Sequence, residues 1–246
     1  MNIDFSNKTV IVSGGTRGIG AALVKLFFNC NAQVIATGAD LETIEKLNAQ
    51  SEDRIKYLHL DFASNKSVKA CISNIVKLGQ IDVLINNAGV NKIDSIDKIE
   101  EDDWDWINHV NLRGPFLLTK AVSKIMKKKS QGKIINISSI FGVVSKPKRA
   151  AYSTTKWGLI GFTKAVALDL APYNILVNAV SPGFVDTQLT RSILGEKGIK
   201  KITETIPQKR LATVEEIAKT IVYLASDHNT YIAGQNIIVD GGFTSA

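Results

Sequence analysis

Short apolar, β-branched runs alternate with helix-like stretches along the whole of this chain, and that alternation leaves few folds open. Strand-like runs fall at 9–13, 33–37, 55–60, 83–86, 133–138, 175–180 and 236–239. Helical patterns over 19–29, 41–49, 64–78, 103–129, 151–171 and 214–225 lie between them. Strand–helix–strand units repeated in this way build a parallel sheet. The pattern predicts an α/β fold: a doubly wound sheet of seven parallel strands with helices on both faces. With 246 residues, 45% of them hydrophobic, the chain can bury one large core, and residues 1–246 read as a single domain.

Several stretches carry boundary signals of their own. Glu100 to Asp103 and Asp105 put negative charge on the first turn of the fourth helical stretch, at the positive end of its dipole. Thr213 ahead of Glu215 and Glu216 reads as a capping box. Asn174 stands where a helix hands over to a strand, a place that suits a left-handed backbone. Ligands of doubly wound sheets lie beyond the C-terminal strand ends. Six loops converge on that edge, at 14–20, 38–40, 61–62, 86–89, 138–139 and 181–183.

The first of these loops, Ser13-Gly14-Gly15-Thr16-Arg17-Gly18-Ile19-Gly20, opens a helix directly after a strand. Glycines there let backbone N–H groups approach a phosphate, and the helix N-terminus adds a positive field. The turn therefore predicts where a dinucleotide lies, although its spacing is G-x-x-x-G-x-G. Tyr152 and Lys156, four apart, share one helix face, with Ser139 at a strand end upstream. Free tyrosine titrates near ~10, too high for ready proton exchange at neutral pH. A cation one turn away favours the phenolate, so Lys156 is expected to lower that value. Together the glycine turn and the Ser/Tyr/Lys set predict hydride transfer at a carbon and proton transfer at its oxygen.

With these features in order over nearly the full length, and with Asn86-Asn87-Ala88-Gly89, Asn111, Ser181-Pro182-Gly183 and Val239-Asp240-Gly241-Gly242 among them, the chain resembles the classical short-chain dehydrogenase/reductase family. Ser13 stands where the family usually has threonine and keeps the hydroxyl. The resemblance implies a Rossmann-type fold and a catalytic set. Tyr152 is the general acid in reduction and the base in oxidation, and Lys156 tunes it. Ser139 donates to the substrate oxygen, and Asn111 holds a water that relays protons to the lysine. A polar residue bending its helix is the other reading of Asn111. Ser138 reads as structural.

For the cofactor, the resemblance implies contacts from Gly14, Thr16, Arg17, Gly18, Ile19, Gly20 and Gly38. Asp61 and the Phe62 backbone would hold the adenine, and Asn87, Ala88 and Gly89 would line the adenosine ribose. Tyr152 and Lys156 would hold the nicotinamide ribose, and Pro182, Gly183, Val185 and Thr187 the carboxamide. From the residues alone, Asp61 reads as a helix cap or loop acid and Thr187 as a helix N-cap. Gly38 occupies the position where an acid would select NAD, and Arg17 can reach a 2′-phosphate; these favour NADP(H). NAD(H) stays open, since Asp40 lies two residues on and no arginine follows the second strand. A solvated loop cation is the other reading of Arg17.

The chain start lacks the basic and apolar regions of a signal peptide, and no apolar run is long enough to span a bilayer. Cys30 and Cys71 read as reduced thiols of a cytoplasmic protein. His59, His109 and His228 have no ligand spacing, so no metal is expected. Net charge is +7, with Lys124, Lys127, Lys128, Lys129 and Lys133 grouped. These read as a solvated helix end or as a docking patch for an acidic partner. No motif for nucleic acid accompanies them.

Overall the resemblance runs to bacterial 3-oxoacyl-[acyl-carrier-protein] reductases. It implies a ketone substrate on an acidic acyl carrier protein or coenzyme A. Sugar and polyol enzymes share every motif and form the alternative. A dinucleotide-binding sensor without catalysis is the alternative from another class. The resemblance also implies a homotetramer, built through 103–129 and 151–171 and through the C-terminal helix and strand. Residues 188–210 read as a mobile lid that sets specificity with loop 90–99. Lys146-Pro147-Lys148-Arg149 reads as a solvated loop at the pocket mouth or as an attractor of an anionic substrate or carrier.

Overall fold

The computed structural model describes residues 2–246. In chain order the elements are β1 (Thr9–Val12), α1 (Gly18–Asn29), β2 (Gln33–Gly38), α2 (Leu41–Gln50), β3 (Ile55–His59), α3 (Asn65–Lys77) and β4 (Val83–Asn86). They continue with α4 (Glu101–Asn108), α5 (Gly114–Lys129), β5 (Gly132–Ile137), α6 (Ala150–Leu170), β6 (Ile175–Pro182), α7 (Gln188–Thr205), α8 (Val214–Ala225) and β7 (Asn236–Val239). The strands form one sheet in the order β3-β2-β1-β4-β5-β6-β7. Every pairing is parallel, as the seven predicted runs require.

Alternation along the strands divides the apolar side chains between two cores. Val10, Val12, Val34, Ala36, Val83 and Ile85 face one side, where α1 and α8 cover them with Leu23, Phe27, Ile217 and Ile221. Ile11, Ile35, Leu84, Ile134 and Val177 face the other, under Val68 and Ile75 of α3, Leu118 and Val122 of α5, and Ala167 of α6. Between β4 and β5 runs a buried polar link. Asn86 donates to Asn136 (2.8 Å) and Thr119 (3.1 Å), and Asn136 donates to Thr163 (2.8 Å). It ties two central strands to α5 and α6.

The boundary signals act as expected at Thr213, which forms the full capping box with Glu216, and at Asn174, whose φ is 54°. Two expectations are corrected. The helix over 103–129 begins at Glu101, with Glu101, Asp102 and Asp103 in its first turn, and is broken by a π-helical turn at His109–Arg113. Ser181 and Pro182 belong to β6 and pair with β7, so the sixth loop starts at Gly183. The 188–210 segment is α7 plus a short tail, and its helix is interrupted at Gly195, where φ is 60° and ψ 176°. That break falls where the sequence places glycine between two helical pieces.

Candidate active site

Beyond the C-terminal strand ends lies a cavity of about 580 Å³. All six predicted loops contribute to its lining: Gly14 and Thr16 to Gly20, Gly38, Asp61 and Phe62, Asn87 to Gly89, Ser138 and Ser139, and Gly183. Of the proposed site residues, Gly14, Thr16, Arg17, Gly18, Ile19, Gly20, Gly38, Asp61, Phe62, Asn87, Ala88 and Gly89 line it. So do Ser139, Tyr152, Lys156, Pro182, Gly183, Val185 and Thr187. Asn111 does not. It is fully buried behind the wall.

The glycine turn is built for close backbone approach. Gly14 has φ 66°, and a Cβ there would stand 2.8 Å from Ala88 Cα. At Gly20 a Cβ would lie 2.0 Å from the Gly14 carbonyl oxygen. Ser13 Oγ accepts from Asn87 N (3.0 Å) and Ala88 N (3.1 Å), while the Asn87 amide donates to Ser13 O and Gly14 O (3.0 Å each). Serine thus does what the usual threonine hydroxyl would do. Helix α1 opens at Gly18 with no acidic residue in its first turn and no side chain capping it, so its N–H groups are available to an anion. The cradle fits the diphosphate of a dinucleotide.

At the end of β2, Asp40 is taken up by local structure. It caps α2, accepting from Thr43 N at 2.8 Å, and hydrogen bonding from the Thr43 side chain and backbone holds its carboxyl below the usual range. Gly38 and Ala39 line the cavity there; Asp40 does not. Among the described residues Asp61 is the one carboxylate in the lining, which also holds the cations Arg17, Arg149 and Lys156. It accepts from Ala63 N at 2.9 Å, and Thr187 caps α7 by accepting from Thr190 N at 3.1 Å. Both therefore play the local roles their residue types suggest while also lining the cavity.

Tyr152 and Lys156 project from the first two turns of α6, one above the other. Lys156 Nζ donates to the Ile137 carbonyl at 2.8 Å and lies 5.5 Å from the Tyr152 ring centroid. Burial, without a carboxylate partner, brings the lysine down to about 8. Burial also raises Tyr152 above its ordinary value, opposed by a hydrogen bond with Ser139 and by the charge of Arg149. Desolvation is the largest effect on the phenol, and Arg149 is the cation that opposes it. Ser138 is structural, donating to the Lys156 carbonyl at 2.9 Å.

The π-helical turn aims Asn111 inward. Its amide donates to Val90 O (2.9 Å) and Thr155 Oγ1 (3.1 Å), and its oxygen accepts from Val90 N (2.8 Å). An extra residue in one helical turn is the usual way a helix presents a side chain off its regular face. Asn111 and Lys156 both flank Gly89: a Cβ there would lie 3.6 Å from Asn111 Oδ1 and 3.5 Å from Lys156 Nζ.

The structure adds residues that sequence reading did not single out. Trp106, Val110, Leu189, Ile193 and Leu194 add apolar side chains to the lining, and Phe141 packs edge-on against both Tyr152 and Phe184. Arg149 is buried in the lining, at 6% exposure, rather than solvated. It belongs to the basic stretch 146–149, read from the sequence as a solvated loop or an attractor of an anionic substrate, and stands as the N-cap of α6 three residues before Tyr152. The lysine group lies elsewhere. Residues 124–133 close α5 and open β5 at the opposite sheet edge, where Lys129 pairs with Asp82, Lys133 donates to Asn229 O and Lys127 lies over the Tyr173 ring. It does not border the cavity.

Among the described residues, no helix is long and apolar enough to cross a membrane. A family model described as enoyl-(acyl carrier protein) reductase matches residues 14–244. The 3-oxoacyl-[acyl-carrier-protein] reductase of Thermotoga maritima is 38% identical over 239 residues, covering 96% of this chain and 97% of that protein. Nodulation protein G of Rhizobium meliloti is 35% identical over 97% of this chain and 98% of its own length. Among solved structures, a gluconate 5-dehydrogenase from Burkholderia cenocepacia in complex with NADP and tartrate superposes with a TM-score of 0.93 at 30% identity, over 100% of this chain and 98% of that one. ElxO with NADP bound gives 0.90 at 33%, over 97% and 99%. Full-length matches of this kind, on a seven-stranded parallel sheet with its cavity at the strand ends, show that the chain belongs to the short-chain dehydrogenase/reductase family of oxidoreductases.

Proposed function

We propose that the chain is an NADP(H)-dependent reductase of 3-oxoacyl thioesters, working on a carrier-bound or coenzyme A-bound ketone. The observation that carries it is the joint opening of Ser139, Tyr152 and Lys156 onto one cavity whose lining also includes the glycine cradle and the apolar side chains of α7. When bound, the nicotinamide dinucleotide supplies the hydride. The α1 N-terminus and residues 14–20 would hold its phosphates, and Arg17 with an acid-free β2 end would accept the 2′-phosphate. Relatives in solved complexes carry NADP, which supports the same choice.

Ser139 holds the ketone oxygen by donating a hydrogen bond, and Tyr152 delivers the proton to that oxygen as the alcohol forms. Lys156 replenishes the phenol from its buried position, and a water at Asn111 connects it to solvent. The flanking of Gly89 by Asn111 and Lys156 supports that relay. Leu189, Ile193 and Leu194 on α7 would pack the acyl chain, with Gly195 as the hinge of a lid. Exposed Lys146 and Lys148 beside the opening, and Lys197, Lys200 and Lys201 on the second half of α7, would receive an acidic carrier. The group at 124–133 is withdrawn from that task by its place at the far edge.

A homotetramer fits the exposed apolar side chains. Phe116 on α5 and Trp157 on α6 are 44% and 53% exposed, and Tyr231 and Ile238 near the C-terminal strand are also open. The function is tested by NADPH oxidation at the nicotinamide absorbance band with acetoacetyl-carrier protein, acetoacetyl-coenzyme A and sugar-acid ketones. Turnover of the thioesters with loss of about a hundredfold or more in Tyr152→Phe is expected. Turnover confined to sugar-acid ketones would replace the thioester reading with a sugar-acid one.

A further inference from the structure

Arg149 is a buried cation that the proposed chemistry does not use. It precedes α6 as the residue before its first turn and is 6% exposed. Its guanidinium carbon lies 5.4 Å from the Phe141 ring centroid, and Tyr152 meets the same ring edge-on, with centroids 6.4 Å apart. Both charged and phenolic groups therefore stand on one aromatic wall of the cavity. No carboxylate pairs with Arg149 among the described residues, and its Nε is buried without any hydrogen-bond partner. The nearest other cation on that wall, Lys146, lies over Phe141 and Phe184 and cannot satisfy it.

Desolvating a guanidinium and leaving one of its donors unmatched is costly, and native proteins rarely keep such a group without a use. A planar fork of N–H donors suits an oxygen acceptor, carboxylate above all. A solvated loop cation would offer no reason for burial beside the reacting group. We infer that Arg149 is a substrate-positioning residue: it receives a second oxygen function of the substrate, next to the ketone held at Tyr152 and Ser139. Two sources share that chemistry. One is the acyl carbonyl of a 3-oxoacyl thioester, and the other is the carboxylate of a free oxo acid. The inference rests on the reading of this cavity as a ketone reductase site, and is indifferent to which of the two it takes.

The test compares three substrates: acetoacetyl-coenzyme A, acetoacetate and a plain ketone such as 2-pentanone, with wild type, Arg149→Gln and Arg149→Lys. The measured quantity is the ratio of kcat/KM for each two-oxygen substrate to that for the plain ketone. Arg149→Gln is expected to lower that ratio by about tenfold to a hundredfold for the substrate that the arginine reads, mostly through KM, as befits one charge-assisted hydrogen bond. Arg149→Lys should restore part of it. NADPH binding, followed by its fluorescence, reports separately that the variants are folded. A larger loss with acetoacetate assigns the carboxylate, and a larger loss with the thioester assigns the acyl carbonyl. An equal loss on all three substrates makes Arg149 merely structural and overturns the inference. Absence of any ketone turnover in the wild type would instead overturn the proposed function, with the NADPH titration showing whether the cradle survives.

Discussion

Replacing Lys156 by methionine removes one buried charge whose effect on stability has a defined pH signature. Lys156 is 3% exposed, and its ammonium donates to the Ile137 carbonyl and lies against the Tyr152 ring. Desolvation brings it from 10.5 in the open chain to about 8 in the fold. Between those values the unfolded chain binds more protons than the folded one, so stability rises with pH across that window. Below pH 8 the penalty for the buried charge is fully present, at about 3 kcal/mol; above 10.5 it is gone. Moving from pH 7 to 9.5 should release about 2 kcal/mol of it.

The assay is urea unfolding of the cofactor-free protein at both pH values, with wild type and Lys156→Met side by side. Loss of the bond to Ile137 shifts the variant equally at both, and the other titrating groups are common to the two proteins. The difference between them isolates the lysine. Wild type is expected to gain about 2 kcal/mol relative to the variant between pH 7 and 9.5. Tyr152 stays protonated in this range because burial holds it above its ordinary value. A difference that stays constant within about 0.5 kcal/mol would mean that the ammonium keeps its hydration, and the reasoning from burial would fail.

Gly20→Ala should destabilise the fold by about 2 kcal/mol or more and weaken NADPH binding, because its Cβ would collide with the Gly14 carbonyl oxygen; thermal melting and a fluorescence titration check both. Arg17→Ala should weaken NADPH by roughly tenfold while changing NADH little, measured by the same titration, since only the former carries a 2′-phosphate. Asn136→Ala removes one of the two acceptors of Asn86 and the amide that donates to Thr163, and should cost about 1 to 3 kcal/mol in urea unfolding. Raising ionic strength from 0.05 to about 0.5 M should lower kcat/KM for a carrier-bound substrate severalfold and leave a neutral ketone nearly unaffected; equal responses would remove the carrier-docking role of Lys146 and Lys148.

Where each segment sits along the sheet was legible because period and topology leave little choice. The central strands alternate between two covered faces, so Val10, Ile11 and Val12 announce a buried parallel strand without reference to anything distant. The six loops at the strand ends follow from that alone, and most of the cavity-lining residues that the family resemblance named lie on those loops. The π-helical turn at His109–Arg113 was not legible in the same way. One extra residue in a turn shifts the apolar stripe by less than a residue type can report, and only the packing of Asn111 against Val90 and Thr155 sets it.

The two basic stretches show what topology can decide and what it cannot. A helix that leads into a parallel strand must end at that strand's N-terminal edge, so the lysines closing α5 were bound to lie about 20 Å from a cavity at the other end of β5. Charge pattern suggested docking near the pocket; connectivity already excluded it. Arg149 belongs to a loop, where connectivity fixes the ends and nothing between them. Its neighbours Lys146 and Lys148 turn to solvent, while it turns inward beside Phe141. A loop arginine is ordinarily solvated, and that expectation holds unless something compensates its desolvation. Here the ring of Phe141 contributes part of that compensation and no side-chain acid contributes the rest. Composition records the charge of such a residue but not the side of the wall it faces, and the substrate is read on that side.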